Sequence, residues 1–144
     1  MNALSHSNSR RGFTMIELLI VISVIGIMSA LIIAAFSNAA QDTRRVISRQ
    51  QQAAVQNAVN AWVTSYSTNN GLSGSRTAYN AAGNSLARLQ LVGGYLDDST
   101  LEHFVANTDA AVPDTVLSAA LDKTGQFLLM GQWASTSYPK VELK

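Results

Sequence analysis

Glu17 is an ionisable residue at the start of a strongly apolar segment, and its position raises the first chemical question about this sequence. Apolar and small residues alone follow it from Leu18 to Phe36. A charged side chain inside a bilayer costs about 2.5–3.5 kcal/mol even on the most lenient insertion scale. A purely hydrophobic anchor would gain from leucine at this position. Glu17 is therefore expected to meet a positively charged partner.

The chain itself offers such a partner next to Gly12, which lacks a side chain and stands between Arg10-Arg11 and the apolar segment. Cleavage between Gly12 and Phe13 would create a new ammonium group four residues before Glu17, about one helical turn away. In a stack of such helices, Glu17 of one subunit would neutralise the Phe13 amine of the next. We therefore predict that the mature chain begins at Phe13.

These residues resemble the N-terminal signature of type IV pilins and of the pseudopilins of type II secretion. The shared pattern is a short basic leader ending in Gly12, then Phe13, then Glu17 as the fifth mature residue before a long apolar run. The resemblance covers residues 10–66 well. It implies cleavage by a membrane-bound prepilin peptidase, N-methylation of Phe13, and polymerisation of the chain with itself at an inner-membrane assembly platform. It also places the N-terminus in the cytoplasm before assembly and the filament in the periplasm or outside the cell.

Two other interpretations of the same segment stay open. The first is an ordinary secretory signal peptide, for which Ser37-Asn38-Ala39 would supply a small-x-small cleavage site. The apolar region of such a peptide normally has 7–15 residues, whereas this run extends from Phe13 to Phe36 and contains Glu17. The second is a plain signal anchor in which Glu17 has no specific role.

Length and composition divide the 144 residues into three parts. We predict a leader at 1–12, a transmembrane or filament-core helix at 13–36, and a globular pilin head at 37–144. The head begins with the amphipathic second half of the helix, 37–68. The chain has no cysteine, which excludes disulfides and cysteine-based metal sites. Many related pilins carry a disulfide, so this absence favours a pseudopilin or a cysteine-free pilin.

The charge balance bears on the choice of partners. The formal net charge is +1, and removing two leader arginines leaves 8 basic against 9 acidic side chains. Such a balance argues against a general polyanion-binding surface, so nucleic acid is not an expected partner. The basic cluster Arg44, Arg45 and Arg49 is predicted to be a solvated or intersubunit helix face, with contact to lipid headgroups or DNA as the alternative.

Small residues recur at every fourth position of the apolar segment, at Gly26, Ala30 and Ala34. In lipid, such a row lets two helix backbones approach closely where no hydrophobic drive brings them together. We expect this row to take part in filament assembly. Many pilins have a proline near position 34; here there is alanine, so local melting of the helix is not predicted.

The predicted fold class is α+β and pilin-like: a long N-terminal helix packed on a small antiparallel sheet. Beyond Phe36 one apolar helix face is predicted, consisting of Ile47, Val55, Val59, Trp62 and Tyr66. The helix is expected to end near Thr68–Gly71, followed by a loop over 69–84. Further predictions are a helix at Ser85–Val92, a helix opened by a capping box at Ser99–Glu102, strands at Val116–Leu121 and Gln126–Trp133 around a turn at 122–125, and an edge strand at Pro139–Leu143.

The search for catalytic or metal-binding residues gives no site. His103 is the only histidine outside the leader, and nothing in its surroundings indicates a hydrolytic triad. Major pseudopilins bind calcium, and the resemblance makes the head's aspartates candidate ligands, but they lack the spacing of a calcium loop: Asp97, Asp98, Asp109, Asp114 and Asp122. We therefore expect no cofactor, no metal and no enzymatic activity.

The sequence thus predicts a structural subunit of a type IV pilus or pilus-like filament. The alternatives are a pseudopilin of type II secretion, a membrane-anchored binding module that is never cut at Gly12, and a minor pilin for DNA uptake or adhesion. The last would require a basic or aromatic patch on the head, which Lys123, Lys140 and Lys144 suggest only weakly.

Overall fold

The computed structural model describes residues 12–144; the predicted leader residues Arg10 and Arg11 lie outside the described residues. The chain forms two compact units, one ending at Ala39 and one comprising Ala40–Lys144, which we call the head. The elements in chain order are α1 (Met15–Ala81), α2 (Ser85–Val92), a 3-10 helix (Gly93–Tyr95), α3 (Asp98–Asn107), α4 (Ala119–Asp122), β1 (Leu128–Met130) and β2 (Val141–Leu143). A long N-terminal helix with a small antiparallel sheet confirms the α+β fold class.

Helix α1 is interrupted at Gly71, whose φ of 67° and ψ of 168° are not helical. This combination of angles is essentially restricted to glycine because other residues would clash through Cβ. The predicted end of the helix near Gly71 is therefore present as an interruption of α1. The predicted loop over 69–84 is wrong, because helical structure resumes and continues to Ala81. The resumed segment buries Ser75 and Tyr79, and this packing outweighs a composition of Ser, Gly and Asn that favours loops.

The core of the head is built on one face of α1. Val55, Val59 and Trp62 are 0–6% exposed, as the periodicity predicted. Ile47 and Tyr66, assigned to the same face, lie at its margin and are each 36% exposed. Further buried apolar side chains come from the rest of α1 and from the elements and connections that follow it: Val63, Tyr79, Leu89, Val92, Phe104, Val116, Leu121, Leu128, Met130, Trp133 and Val141.

The two middle helices begin at side-chain caps. Helix α2 has its predicted bounds, and the Asn84 side chain accepts a hydrogen bond from Ala87 N at 2.8 Å. The N-cap of α3 is Asp97, not Ser99 as the capping-box pattern predicted. The carboxylate of Asp97 accepts bonds from the hydroxyl of Ser99 and from Thr100 N, and these bonds lower its pKa. A carboxylate at this position satisfies free N–H groups of the first turn.

The sheet differs from the predicted hairpin. Strands β1 and β2 pair antiparallel, with Leu129 opposite Glu142, so the predicted edge strand supplies β2. The strand predicted at Val116–Leu121 contributes one bridge, from Val116 to Leu128. The remaining residues of this predicted strand lead into α4. The Ser118 side chain accepts a hydrogen bond from Leu121 N and thereby starts a helical turn.

Candidate functional site

Glu17 and Thr14 form a reciprocal capping arrangement at the start of α1. Thr14 N donates to Glu17 Oε2 at 2.8 Å, and Glu17 N donates to Thr14 Oγ1 at 3.3 Å. This is the capping box of a helix N-terminus, which satisfies two backbone N–H groups that have no partner within the helix. Sequence reasoning missed the role of Thr14, although the spacing Thr-x-x-Glu over residues 14–17 was the signal for it.

Within residues 12–144, one oxygen of the Glu17 carboxylate has a hydrogen-bond partner. Among the described residues, Oε2 receives Thr14 N and no donor reaches Oε1. Phe13 is joined to Gly12 by a peptide bond here, and its ring is 81% exposed. Gly12, Phe13, Thr14 and Glu17 line one open recess of about 390 Å³. The predicted cleavage point and the carboxylate are therefore neighbours at the surface of the N-terminal unit.

The first part of α1, from Met15 to Phe36, exposes all its large apolar side chains. Exposed fractions run from 47% at Val21 to 84% at Met15, and Phe36 is 73% exposed. The most apolar window of 18 residues has a mean hydropathy of 2.9, and none of it is buried. A helix of this length and composition can cross a membrane. Such a surface needs an apolar environment, either lipid or other protein chains.

The small residues Gly26, Ala30 and Ala34 lie on this exposed part of α1. A Cβ added at Gly26 would meet nothing within 4 Å, so the glycine leaves open space beside the helix instead of filling a contact in its own chain. The hydroxyl of Ser23 donates to Leu19 O at 2.7 Å, which satisfies its hydrogen-bonding capacity as a donor within the helix.

Three of the five aspartates considered as calcium ligands accept hydrogen bonds from backbone N–H groups. Asp97 caps α3, Asp109 accepts Ala111 N at 2.8 Å, and Asp114 accepts Ser85 N at 2.9 Å. Within residues 12–144, no group of three or more His, Asp or Glu side chains is arranged to hold a metal ion. His103 Nε2 accepts a hydrogen bond from Ala119 N at 3.3 Å, which gives this histidine a structural contact.

The basic residues of the head lie partly in one group and partly apart from it. Arg45 pairs with Asp42 at 3.7 Å, both side chains being at least 70% exposed. Lys144 pairs with Glu142 at 2.6 Å, and this neighbour lowers the pKa of the Glu142 carboxyl. Lys123 lines a small recess of about 220 Å³ with Arg44 and Arg45.

Comparison with known families identifies the N-terminal segment. Residues 7–33 match the family described as the prokaryotic N-terminal methylation motif. This motif is the prepilin-type signal of type IV pilins and pseudopilins, so the predicted resemblance is confirmed for this segment. The match includes Gly12, Phe13, Glu17, Gly26 and Ala30 and stops before Ala34 and the head. Comparisons with curated proteins and with solved structures gave no match.

The motif and the exposed helix together define the class of the chain. It carries the signal of a type IV pilin-like substrate of prepilin peptidase, on a helix that can anchor it in a membrane before assembly. Proteins with this signal are generally structural subunits rather than enzymes.

Proposed function

We propose that this chain is a structural subunit of a type IV pilus or pilus-like filament. In this proposal prepilin peptidase cuts after Gly12, Phe13 is N-methylated, and the chain polymerises through the first part of α1. One observation carries the proposal: a prepilin-type signal lies at the start of α1, where every large apolar side chain from Met15 to Phe36 is exposed and Glu17 is the only charged residue of the helix before Asp42.

Before assembly, the chain is a single-pass protein of the inner membrane. The capping box supports this stage, because Glu17 Oε2 is already bonded to Thr14 N within the same helix. A carboxylate that accepts a backbone N–H is less costly to place at a membrane boundary than a free one. The favourable field of a helix N-terminus acts in the same direction.

During assembly, Oε1 of Glu17, which no donor of residues 12–144 reaches, is the atom that receives a second donor. Cleavage after Gly12 supplies that donor as the ammonium group of Phe13 in a neighbouring subunit. Pairing the two charges sets the register between helices, while the row Gly26, Ala30 and Ala34 lets their backbones approach. The exposed apolar side chains then exchange lipid for protein contacts in the filament core.

Mass spectrometry of membrane-bound and filament protein tests the processing step. We expect loss of residues 1–12 and one added methyl group on Phe13. An intact leader, or a new N-terminus after Ala39, would contradict the proposal, since the latter is the product of an ordinary signal peptidase.

Two variants of Glu17 test the assembly step and separate charge from capping. Glu17→Leu removes both the charge and the capping oxygen. Glu17→Gln removes the charge but keeps a hydrogen-bond acceptor for the capping box. Both variants should still be inserted and cut, and both should fail to form filaments. A buried ammonium that loses its partner costs about 3–5 kcal/mol at every subunit added.

Filament yield by electron microscopy and processing by immunoblot are measured together for both variants. Filaments from Glu17→Gln but not from Glu17→Leu would show that capping, and not charge pairing, is the requirement. Normal filaments from Glu17→Leu would refute any role of this carboxylate in assembly.

A further inference from the structure

The head contains an open pocket of about 460 Å³ that the proposed assembly does not use. Ligand pockets in proteins typically measure about 300–1,000 Å³. Leu72, Ser73 and Arg76 of α1 form one wall, and the connection between β1 and β2, from Trp133 to Tyr138, forms the other. We propose that this pocket binds a carboxylated sugar, such as a uronic acid unit of a polysaccharide.

Arg76 supplies the positive charge of the pocket. Within residues 12–144, the ion pairs are Arg45 with Asp42 and Lys144 with Glu142, so no described carboxylate neutralises Arg76. A guanidinium group presents parallel N–H donors that match the two oxygens of a carboxylate. Arg76 is therefore suited to bind an acidic group of a ligand.

An exposed aromatic ring, supported by a buried one, supplies an apolar surface in the same pocket as this charge. The ring centroids of Trp133 and Tyr138 are 5.7 Å apart with an interplanar angle of 33°. Trp133 is buried and its backbone is fixed by Asn80, which accepts Trp133 N at 2.8 Å and donates to Trp133 O at 3.1 Å. Tyr138 is 57% exposed. An exposed ring resting on an anchored one offers a face on which the C–H side of a pyranose ring packs.

Hydroxyl groups complete the lining, from Ser73, Ser135, Thr136 and Ser137. None of these hydroxyls hydrogen-bonds to another residue in the described part of the chain. Each hydroxyl can donate one bond and accept two. Short polar groups with both capacities are complementary to sugar hydroxyls, which also donate and accept.

Charge distinguishes this ligand from a nucleic acid strand. The head carries eight basic and eight acidic side chains, and Arg76 is the only cation among the described residues that line the pocket. Affinity for nucleic acid grows with the number of phosphates that are neutralised. One cation is sufficient for one carboxylate but supplies little affinity for a polyanion. The pocket lies wholly within the head, so the inference does not depend on filament assembly.

Binding is tested on the full-length chain in detergent micelles, by calorimetry and by tryptophan fluorescence, to which Trp62 and Trp133 both contribute. The probes are trigalacturonic acid, maltotriose as a neutral trisaccharide, and an oligothymidylate. The variants are Arg76→Gln and Tyr138→Ser. Their matched controls are Arg49→Gln and Tyr95→Ser, which change an arginine and a half-exposed tyrosine that do not line the pocket.

We expect trigalacturonic acid to bind about tenfold more tightly than maltotriose, and Arg76→Gln to remove this preference. Tyr138→Ser should weaken both sugars, and the control variants should bind like the unchanged protein. Equal affinity for the two sugars, tighter binding of the oligothymidylate, or no binding at millimolar concentration would each overturn the proposal. Thermal unfolding of every variant establishes that the head is folded, and Arg76→Lys, which keeps the charge, should retain part of the preference.

Discussion

The side-chain amide of Gln56 hydrogen-bonds to the C-terminal segment in the manner of a neighbouring strand. Its Oε1 accepts Val141 N at 2.8 Å, and its Nε2 donates to Pro139 O at 3.1 Å. Gln52 adds a bond from Nε2 to Val141 O at 2.9 Å. Both backbone polar groups of Val141 are thus satisfied by side chains of α1. The two glutamines, 85 and 89 positions before Val141, attach β2 to the helix.

Gln56→Ala should destabilise the head, because it leaves Val141 N without its partner in a position that is 4% exposed. An unsatisfied buried donor costs about 1–3 kcal/mol, which corresponds to a fall in melting temperature of roughly 4–15 °C. Both tryptophans lie in the head core, so their fluorescence follows its unfolding in the full-length chain. Gln50→Ala, at an exposed position of the same helix, is the control. Equal melting temperatures for the two variants would contradict this role of Gln56.

Gly71→Ala should also destabilise the head, because the angles at Gly71 are strained for any residue with a Cβ. We expect a cost of about 1–3 kcal/mol, measured by denaturant unfolding. A Cβ at Gly71 would meet nothing within 4 Å, so a loss of stability would arise from the backbone and not from a clash. Gly94→Ala also has open space and no positive φ, and it should have a smaller effect. A neutral Gly71→Ala would show that α1 can pass through residue 71 without the break.

Tyr79 should make the stability of the head sensitive to alkaline pH. Burial raises the pKa of Tyr79 to about 12, and the positive charge of Arg88 opposes this shift only in part. The unfolded chain ionises Tyr79 near pH 10, whereas the folded head keeps the phenol neutral. The stability that the head gains by keeping Tyr79 neutral is therefore complete below about pH 10 and is lost as the pH rises through 12. It amounts to about 2–3 kcal/mol at most.

Tyr79→Phe isolates this effect, because phenylalanine has no group to ionise. The hydroxyl of Tyr79 is buried and has no hydrogen-bond partner within residues 12–144, so its removal should leave stability near pH 7 unchanged or slightly higher. Melting temperatures measured from pH 8 to 12 should fall less steeply for the variant. Parallel curves for the two proteins would exclude Tyr79 as the titrating group.

Removal of metal should not affect the head. Asp97, Asp109 and Asp114 already accept hydrogen bonds from backbone N–H groups, and the described residues offer no cluster of metal ligands. We expect the same melting temperature with excess chelator and with added calcium. A rise of several degrees with calcium would indicate a bound ion that stabilises the folded state.

Local sequence signals predicted the parts of the fold that depend on neighbours along the chain. The face at Val55, Val59 and Trp62 follows from helical period, and the bounds of α2 follow from an Asn-Ser pair that offers a cap before it and the two glycines that follow Val92. The loop assigned to 69–84 was wrong because burial of Tyr79, a contact with distant residues, decides its conformation. The hairpin failed for a related reason: the Ser118 side chain favours a helical turn over a strand.

The candidate sites show the same division. Glu17 was identified from one charge in an apolar run, and its capping partner Thr14 has a local signal three residues away. The pocket at Arg76 and Tyr138 had no such signal, because its two walls are about sixty positions apart in the chain. Gln56 was likewise unremarkable until Val141 was placed beside it.

The bonds at Val141 have a consequence for subunits held side by side. At one edge of the sheet, Val116 and Leu128 exchange two backbone hydrogen bonds. At the other edge, the side chains of Gln52 and Gln56 hydrogen-bond to the backbone C=O and N–H of Val141. Unpaired strand edges are the usual starting points for amyloid-like cross-linking. With these positions occupied, Val116, Leu128 and Val141 leave no backbone group free for a strand of a neighbouring head. Crowded copies of this domain therefore have fewer positions at which strands of two copies could pair and begin to aggregate.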